Sequence, residues 1–438
     1  MTATIREQLT DLYSAAVAGA NVESLTANAV ATVPMDRRHR VWVFSFGKAA
    51  HAMAGAAVAT LHKGLAEVAG GLIVAPEYRD PPSGTIGVAV GDHPIPGRQS
   101  FSAAARIGQV LANKRGGDYG VVLISGGATS LIGAPLRGMK EADLSQLFEL
   151  LLTSGLDIHE MNAIRKRFSL YAAGRLALAL APARTFCFAI SDVSGDDLAT
   201  IGSGPCVPDP TKVQSVIALL EKTNLLQRIS PTFRQFLADS ARGAIPETPK
   251  PTHPAFAHVS ARVIANNGAA LTAAAAAARR LGFNTIVRKE GLVGDATIAG
   301  ATVAESLLTM REHAANGTVQ CCIWGGETTV SVRGPAPRGG RCQELALSAA
   351  KVLATANGRG EGITLLAAGT DGRDGTTSAA GAVVDSSTWS TISSSGIDPA
   401  AALASHESHS ALAAANALFA PGLTGTNVMD VTIGIIRT

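Results

Sequence analysis

With 438 residues, 47% of them hydrophobic and 16% charged, and a formal net charge of only +3, the chain lacks the composition of a disordered polymer and is long enough for two domains. It has no lysine–arginine block suited to nucleic acid, no uncharged apolar stretch of transmembrane length, and no signal-type apolar core near its N-terminus. A cytoplasmic protein that binds neither nucleic acid nor membrane is therefore expected. The five cysteines, at 187, 206, 321, 322 and 342, include no CxxC pair and support neither a disulfide framework nor a zinc site.

An amphipathic helix is expected from about Ile5 to Ala18. Arg40–Phe46 then reads as a strand and Lys48–Leu61 as a helix. Gly71–Ala75 and Ile86–Val90 read as short strands, Arg98–Leu111 as a helix, and Tyr119–Ser125 as a strong strand running into Gly126-Gly127. Glu141–Leu152, His159–Arg167 and Ala172–Leu180 have helical spacing, and Phe186–Ile190 is another apolar strand. Apolar strands alternating with helices predict a mostly parallel sheet covered on both faces.

Gly202–Pro210, with three prolines and two glycines, cannot form a regular element. Helices at about 213–225 and 230–242 precede the extended segment Ile245–Pro254. A second α/β series begins near His258. Its expected strands are His258–Ile264, Asn284–Val287, Gln320–Trp324, Gly362–Ala367 and Val428–Ile436, the last at a sheet edge or completing the first domain. Its expected helices are Gly268–Leu281, Ala296–Glu312, Arg341–Leu353 and Ser408–Phe419. The fold class is thus α/β. Two domains, 1–245 and 255–438, each carry a mostly parallel sheet, and their glycine loops are expected to meet in one cleft.

Six of these loops combine glycines with acids or hydroxyls beside a strand. Ser125-Gly126-Gly127-Ala128-Thr129-Ser130 offers close backbone approach, hydroxyl donors and a following helix N-terminus, the ingredients of a phosphate cradle; a plain strand-to-helix turn is the alternative. Gly325-Gly326-Glu327-Thr328-Thr329 is built similarly, with a carboxylate that can hold magnesium or accept from a ligand hydroxyl. In Gly369–Gly375, Asp371 and Asp374 can hold Mg²⁺ through water, with one acting as base toward a hydroxyl; Asp-Gly pairs are also ordinary turns.

Lys48 places a cation at a strand end, suited to a transferring phosphoryl group or a carboxylate. Asp192 ends strand 186–190, where an unpaired carboxylate is costly and serves a ligand. Asn266 and Asn267 follow a strand and either bind substrate or cap the next helix. Arg341 opens a helix against the preference of its dipole, which points to an anionic ligand. Asp92 and His93 sit in a constrained Gly-Asp-His-Pro loop in reach of substrate. The short basic clusters Arg37–Arg40 and Arg165–Arg167 read as solvated surface, the second in a polar helix after Glu160 and Asn162.

Taken in order, these motifs resemble the class II glycerate 2-kinases, the group with a MOFRL-type C-terminal domain. The matching stretches are Ser45–Ala50, Gly91–Gly97, Ser125–Leu131, Asn162–Arg167, Ser191–Asp196, Gly202–Gly204, Gly325–Thr329, Gly339–Glu344 and Gly369–Gly375. The resemblance implies ATP-dependent, Mg²⁺-assisted phosphorylation of D-glycerate to 2-phosphoglycerate. It also implies a Rossmann-like N-terminal domain and an active site in the interdomain cleft. Its proposed catalytic lysine falls on Lys48 and its arginine on Arg341, although Cys342 stands where relatives usually carry asparagine.

Asp371 is a further catalytic candidate. The expected substrate or nucleotide contacts are Asp92, His93, Ser125, Gly126, Gly127, Thr129, Ser130, Asp192, Asn267, Gly325, Gly326 and Thr328, and the expected metal ligands Asp192, Glu327, Asp371 and Asp374. A small sugar acid is the expected partner of a monomer or homodimer. Members are also labelled hydroxypyruvate reductase, in the context of tartrate degradation. An NAD(P)H-dependent reductase is one alternative, disfavoured because the first strand–helix junction has one glycine and no Gly-x-Gly-x-x-Gly. A non-catalytic sugar-acid-binding protein is the other.

Overall fold

A computed structural model describes residues 4–35, 38–332 and 337–438; Arg37, in the first basic cluster, lies outside them. The chain divides into two compact units, one comprising Val22–Ala265 and the other Met1–Asn21 with Asn266–Thr438.

The sheet of the first unit contains β1 (Arg40–Phe46), β2 (Glu67–Ala75), β3 (Ile86–Val90), β4 (Tyr119–Ile124), β5 (Arg184–Ile190) and β6 (Val259–Ala265), in the order β3-β2-β1-β4-β5-β6. Every pairing is parallel. The apolar runs follow from this: β1 from Val41 to Phe46 is buried throughout, as expected of strands covered on both faces. Strand order reverses between β1 and β4, and the carboxyl ends of these two strands mark the crevice position where ligands usually bind in such sheets.

A second core in this unit gathers Leu144, Phe148, Ile164, Phe168 and Phe233 from helices flanking the sheet, with Phe168 stacked on Phe233 at 4.1 Å. It carries the helix Ile158–Phe168, which starts with a reciprocal capping box between Asp157 and Glu160. The structure corrects the reading of 165–167 as solvated surface, since Arg165, Lys166 and Arg167 are all buried. Lys166 pairs with Asp209 at 3.0 Å, and Arg167 meets Glu247 and Asp209. The long apolar stems of Lys166 and Arg167 pack in the core while their heads find anions behind it.

The second unit holds β7 (Asn284–Val287), β8 (Val319–Gly326), β9 (Ile363–Gly369), β10 (Gly381–Asp385), β11 (Leu418–Phe419) and β12 (Asp430–Arg437), in the order β11-β10-β9-β12-β8-β7. Only β7 and β8 pair in parallel; the remaining pairings are antiparallel, so the expectation of a mostly parallel sheet fails in this half. The chain's last strand, β12, is neither an edge nor part of the first sheet. It runs between β8 and β9 in the middle, and Val431, Ile433, Ile435 and Ile436 are fully buried.

The division differs from 1–245 and 255–438 in two further ways. The segment read as the first strand of the second series is β6, the sixth strand of the first sheet, and the break follows at 265/266. The helix Ile5–Gly19 belongs to the C-terminal unit. A Cβ at Gly19 would stand 2.2 Å from that of Ala273 in the helix Asn267–Arg280, so the two helices pack with no room for a side chain there. Tyr13 Oη donates to the Gly369 carbonyl at 2.8 Å, and Arg437 donates to Gln8 at 2.6 Å.

Candidate functional site

In the first unit the loops after β1 and β4 are stitched together. The Lys48 N–H donates to the Gly126 carbonyl at 2.9 Å, and the Ala49 N–H to Ser125 Oγ at 3.1 Å. This contact demands glycine at 47, where φ is +124° and a Cβ would lie 2.2 Å from Ser125 Oγ. Lys48 is left exposed at the crevice.

Asp192, after β5, reaches the same loop, for a Cβ on Gly126 would fall 2.1 Å from its carboxylate. Burial pushes the Asp192 carboxyl up, against its own backbone N–H and the Lys48 charge, which favour the ionised form. Thr129 Oγ1 and Ser203 Oγ are 3.1 Å apart, tying the cradle to the turn Gly202–Gly204, and Ser130 Oγ lies 2.9 Å from His93 Nδ1. Lys48, Ser125–Ser130, His93 and Asp192 therefore do come together.

Asp92 has a different role. Its Oδ2 accepts the N–H groups of Gln99 and Ser100 at 2.8 and 3.2 Å, capping the helix Arg98–Leu111 and orienting the loop that carries His93.

His93 is pushed down to about 4 by burial and by the charges of Lys48 and Arg165, so its ring is neutral at physiological pH. Because this lies below the ordinary 6.5, the ring's share of stability is intact above that pH and is lost as pH falls toward 4. In an NMR titration the His93 ring resonances are expected to stay constant from about pH 8 to 5; a midpoint near the ordinary histidine value would mean that the ring is neither buried nor beside the two cations.

In the second unit Arg341 is the first residue of the helix Arg341–Ala354. Its Nε and Nη2 donate to the Asp430 carboxylate at 2.6 and 2.8 Å, and Nη1 meets Glu327 Oε1 at 2.9 Å. Burial works against its positive charge, and the two carboxylates more than offset that, raising its pKa.

Asp430 was not a sequence candidate. An acid opening the apolar run Asp430-Val-Thr-Ile-Gly-Ile-Ile is the signal that was there to read, since such a group needs a partner. Asp371 lies close by: a Cβ on Gly369 would be 3.1 Å from Asp371 Oδ1 and 3.6 Å from Asp430 Oδ1. Asp371 Oδ1 also accepts the Arg373 N–H at 3.0 Å, a local turn bond.

Three expected contacts in this unit serve the fold. Asp374 accepts the N–H groups of Cys342 and Gln343 at 3.2 and 2.9 Å and the Gln343 side chain at 3.0 Å, capping the helix of Arg341; burial pushes its carboxyl up to about 6 against those donors. Gly340 is required beneath it, because a Cβ would lie 2.3 Å from the Asp374 carboxyl carbon. Asn267 spends its amide on the carbonyls of Val428 and Asp430 at 2.8 and 2.9 Å and leaves no room for a side chain on Gly325.

The loop after β8 does not match the cradle after β4. The N–H groups of Glu327 and Thr329 are taken by the carbonyls of Leu292 and Gly294 at 2.9 and 2.7 Å, and a Cβ on Gly326 would strike the Leu292 backbone. Thr328 is buried beside them. These glycines permit close packing of chain on chain.

Beside Arg341 a cavity of about 380 Å³ is lined by Thr329, Val330, Val332, Pro337, Glu344 and His406 among others. Glu344 is buried and bonds both His406 Nδ1 and Thr297 Oγ1 at 2.9 Å. Among the described residues, no three His, Cys, Asp or Glu side chains converge as a metal shell, and no helix is long and apolar enough to cross a membrane.

Residues 8–238 match the family model described as a domain of unknown function, DUF4147, and residues 320–430 match the MOFRL family. The chain is 34% identical to the glycerate 2-kinase of Pyrococcus horikoshii over 91% of its own length and 88% of that protein. It is also 34% identical to the D-glycerate 2-kinase of Thermotoga maritima, over 92% and 93% of the two chains. The crystal structure of a Thermotoga maritima glycerate kinase superposes with a TM-score of 0.86 at 31% identity, covering 99% of both chains.

Proposed function

The chain belongs to the class II glycerate 2-kinase family, which joins a DUF4147 segment to a MOFRL segment, and from that premise we propose that it transfers the γ-phosphoryl group of ATP to the 2-hydroxyl of D-glycerate. The observation that carries this reading is the exposed Lys48, anchored by its own N–H to the Gly126 carbonyl at the crevice between β1 and β4.

Phosphoryl transfer asks for positioned cations around the equatorial oxygens and little covalent chemistry. In this reading Lys48 neutralises charge on the transferring group while Ser125, Thr129 and Ser130 orient it. Arg341 keeps two nitrogens on Asp430 and exchanges Nη1 from the half-exposed Glu327 to a ligand anion. Asp371 orients or deprotonates the 2-hydroxyl. The apolar cavity beside Arg341 has the size and lining for a nucleoside. A hydride-transfer reading has no comparable support, since Gly47 is the lone glycine at the first strand–helix junction.

A metal ion that brought phosphate and water ligands with it would find candidate protein oxygens in Asp192 of the first unit or in Glu327 and Asp371 of the second, Asp374 being committed to its helix cap. Mg²⁺ bound in this way would supply charge neutralisation across the phosphates.

Purified protein given ATP and D-glycerate should form ADP and 2-phosphoglycerate, identified by ³¹P NMR, and should leave NADH and NADPH unoxidised with hydroxypyruvate. Excess chelator should abolish turnover, Mg²⁺ should restore it, and the melting temperature should not move, because among the described residues no protein-only metal shell converges. Nicotinamide oxidation without ADP formation would overturn the reading.

A further inference from the structure

Of the three consecutive cations on the helix Ile158–Phe168, two have anions on hand: Lys166 has Asp209, and Arg167 has Glu247 with Asp209. Arg165 has none among the described residues. Only 6% of it is exposed, and its sole bond is a long one, Nη1 to Asn162 Oδ1 at 3.4 Å. Nε and Nη2, which form one edge of the guanidinium, are both buried without a hydrogen-bond partner. Phe148 lies against the group, its ring centre 4.6 Å from Cζ. A buried cation with two unmet donors is among the costliest features a native fold retains, and its usual explanation is an anion that arrives from outside.

The surroundings say where that anion belongs. Asn162 Nδ2 donates to the Thr200 carbonyl at 3.0 Å and fixes the helix against the turn Gly202–Gly204, whose Ser203 contacts Thr129 of the cradle. The Arg165 charge, with that of Lys48, is felt at His93, which is paired to Ser130. Arg165 therefore stands at the side of the β1–β4 crevice away from any role so far assigned.

We propose that Arg165 binds the carboxylate of D-glycerate through Nε and Nη2, and so selects a hydroxy acid over the matching neutral compound. The assignment rests on the glycerate kinase reading for the identity of the acid. Two parallel donors on one planar edge match the two oxygens of a carboxylate, and lysine cannot reproduce the fork. Neither nitrogen is open to solvent, so the carboxylate enters by displacing the side chains over this edge. Once enclosed, the pair is sheltered from water, where such a contact discriminates most strongly.

The test compares D-glycerate with D-glyceramide, which has the same shape and no charge, in the wild type, Arg165→Lys and Arg165→Gln. Calorimetric binding should show D-glycerate weakened by about 100-fold in Arg165→Lys, with discrimination against the amide lost and ADP binding changed by less than about twofold. A merely structural arginine would weaken both acid and amide alike, or neither. Melting temperatures and circular dichroism identify the folded variants, and Arg165→Lys, which keeps the charge, stands in if Arg165→Gln does not fold. Unchanged D-glycerate affinity in folded Arg165→Lys overturns the proposal, as does a loss confined to ADP, which would assign the arginine to phosphate. Binding is read without turnover, so a wild type that binds D-glycerate through Arg165 but forms no ADP would sink the kinase reading and leave this one standing.

Discussion

Lys48→Met is expected to lower kcat by about 10²–10³-fold, the range seen when one preorganised donor to a transition-state charge is removed. The KM for D-glycerate should change far less, because a cation that acts on the transferring group contributes chiefly after the substrate is bound. The side chain is exposed, and its backbone bond to Gly126 does not depend on the ammonium group, so stability should hold within about 0.5 kcal/mol. Methionine keeps the stem length and removes the charge. Single-turnover formation of ADP measures the chemical step directly. Wild-type turnover would remove Lys48 from the chemistry and shift it to Asp371 and its loop.

Asp209→Ala is expected to cost about 3–5 kcal/mol of stability, because it breaks a buried ion pair from one side. Asp209 is fully enclosed, accepting from Lys166 at 3.0 Å, from Thr248 Oγ1 at 2.7 Å and from the Thr211 N–H at 3.0 Å. Its loss takes the paired anion from the Lys166 ammonium and leaves Arg167 with Glu247 and Thr211. Burial by itself would raise the Asp209 pKa, but Lys166 and the hydrogen bonds outweigh it and hold the carboxyl below its usual range. The stabilisation is therefore complete above the ordinary carboxylate pKa and disappears as pH falls through the lowered folded value; the variant should lack that component of acid unfolding. Urea unfolding of the two proteins at several pH values measures both effects. Equal midpoints at neutral pH would mean that the helix of Arg165 is supported some other way.

The contrast between these two residues shows what could be read from the amino-acid order. Lys48 follows an apolar strand and a glycine, a local pattern visible within five residues, and the first sheet was legible for the same reason, each strand being a short apolar run next to its loop. Asp209 sits among prolines in a segment readable only as irregular, and its partners are some 40 residues away on either side. Arg165 looked like one of three surface charges because burial of a helix's polar face is settled by what packs over it, here Phe148 and its neighbours. The strand at 428–436 was legible, but its central place as β12 and the role of Asp430 were hidden by topology. An antiparallel return into the middle of a sheet leaves no mark on the strand itself beyond apolar residues at successive positions, and that pattern does not name its neighbours. Asp92, Asp374 and Asn267 were located in the right loops, but their types serve caps and backbone bridges as readily as ligands, and only the bonds they make decide between these uses.

The pairing of the helix Ile5–Gly19 with the strands and helices after residue 265 also orders events during synthesis. The helix Ile5–Gly19 must wait for its partners: Ala273, met at Gly19, is made more than 250 residues later, and Arg437, which bonds Gln8, follows that residue by 429 positions. The middle of the chain, 22–265, can complete its parallel sheet while the helix is still unpaired. A polypeptide released before β12 would thus carry one finished unit and a helix Ile5–Gly19 still without its partners. Severing the chain at 265/266 would not yield two self-sufficient pieces, since the C-terminal one would need the first 21 residues supplied in trans.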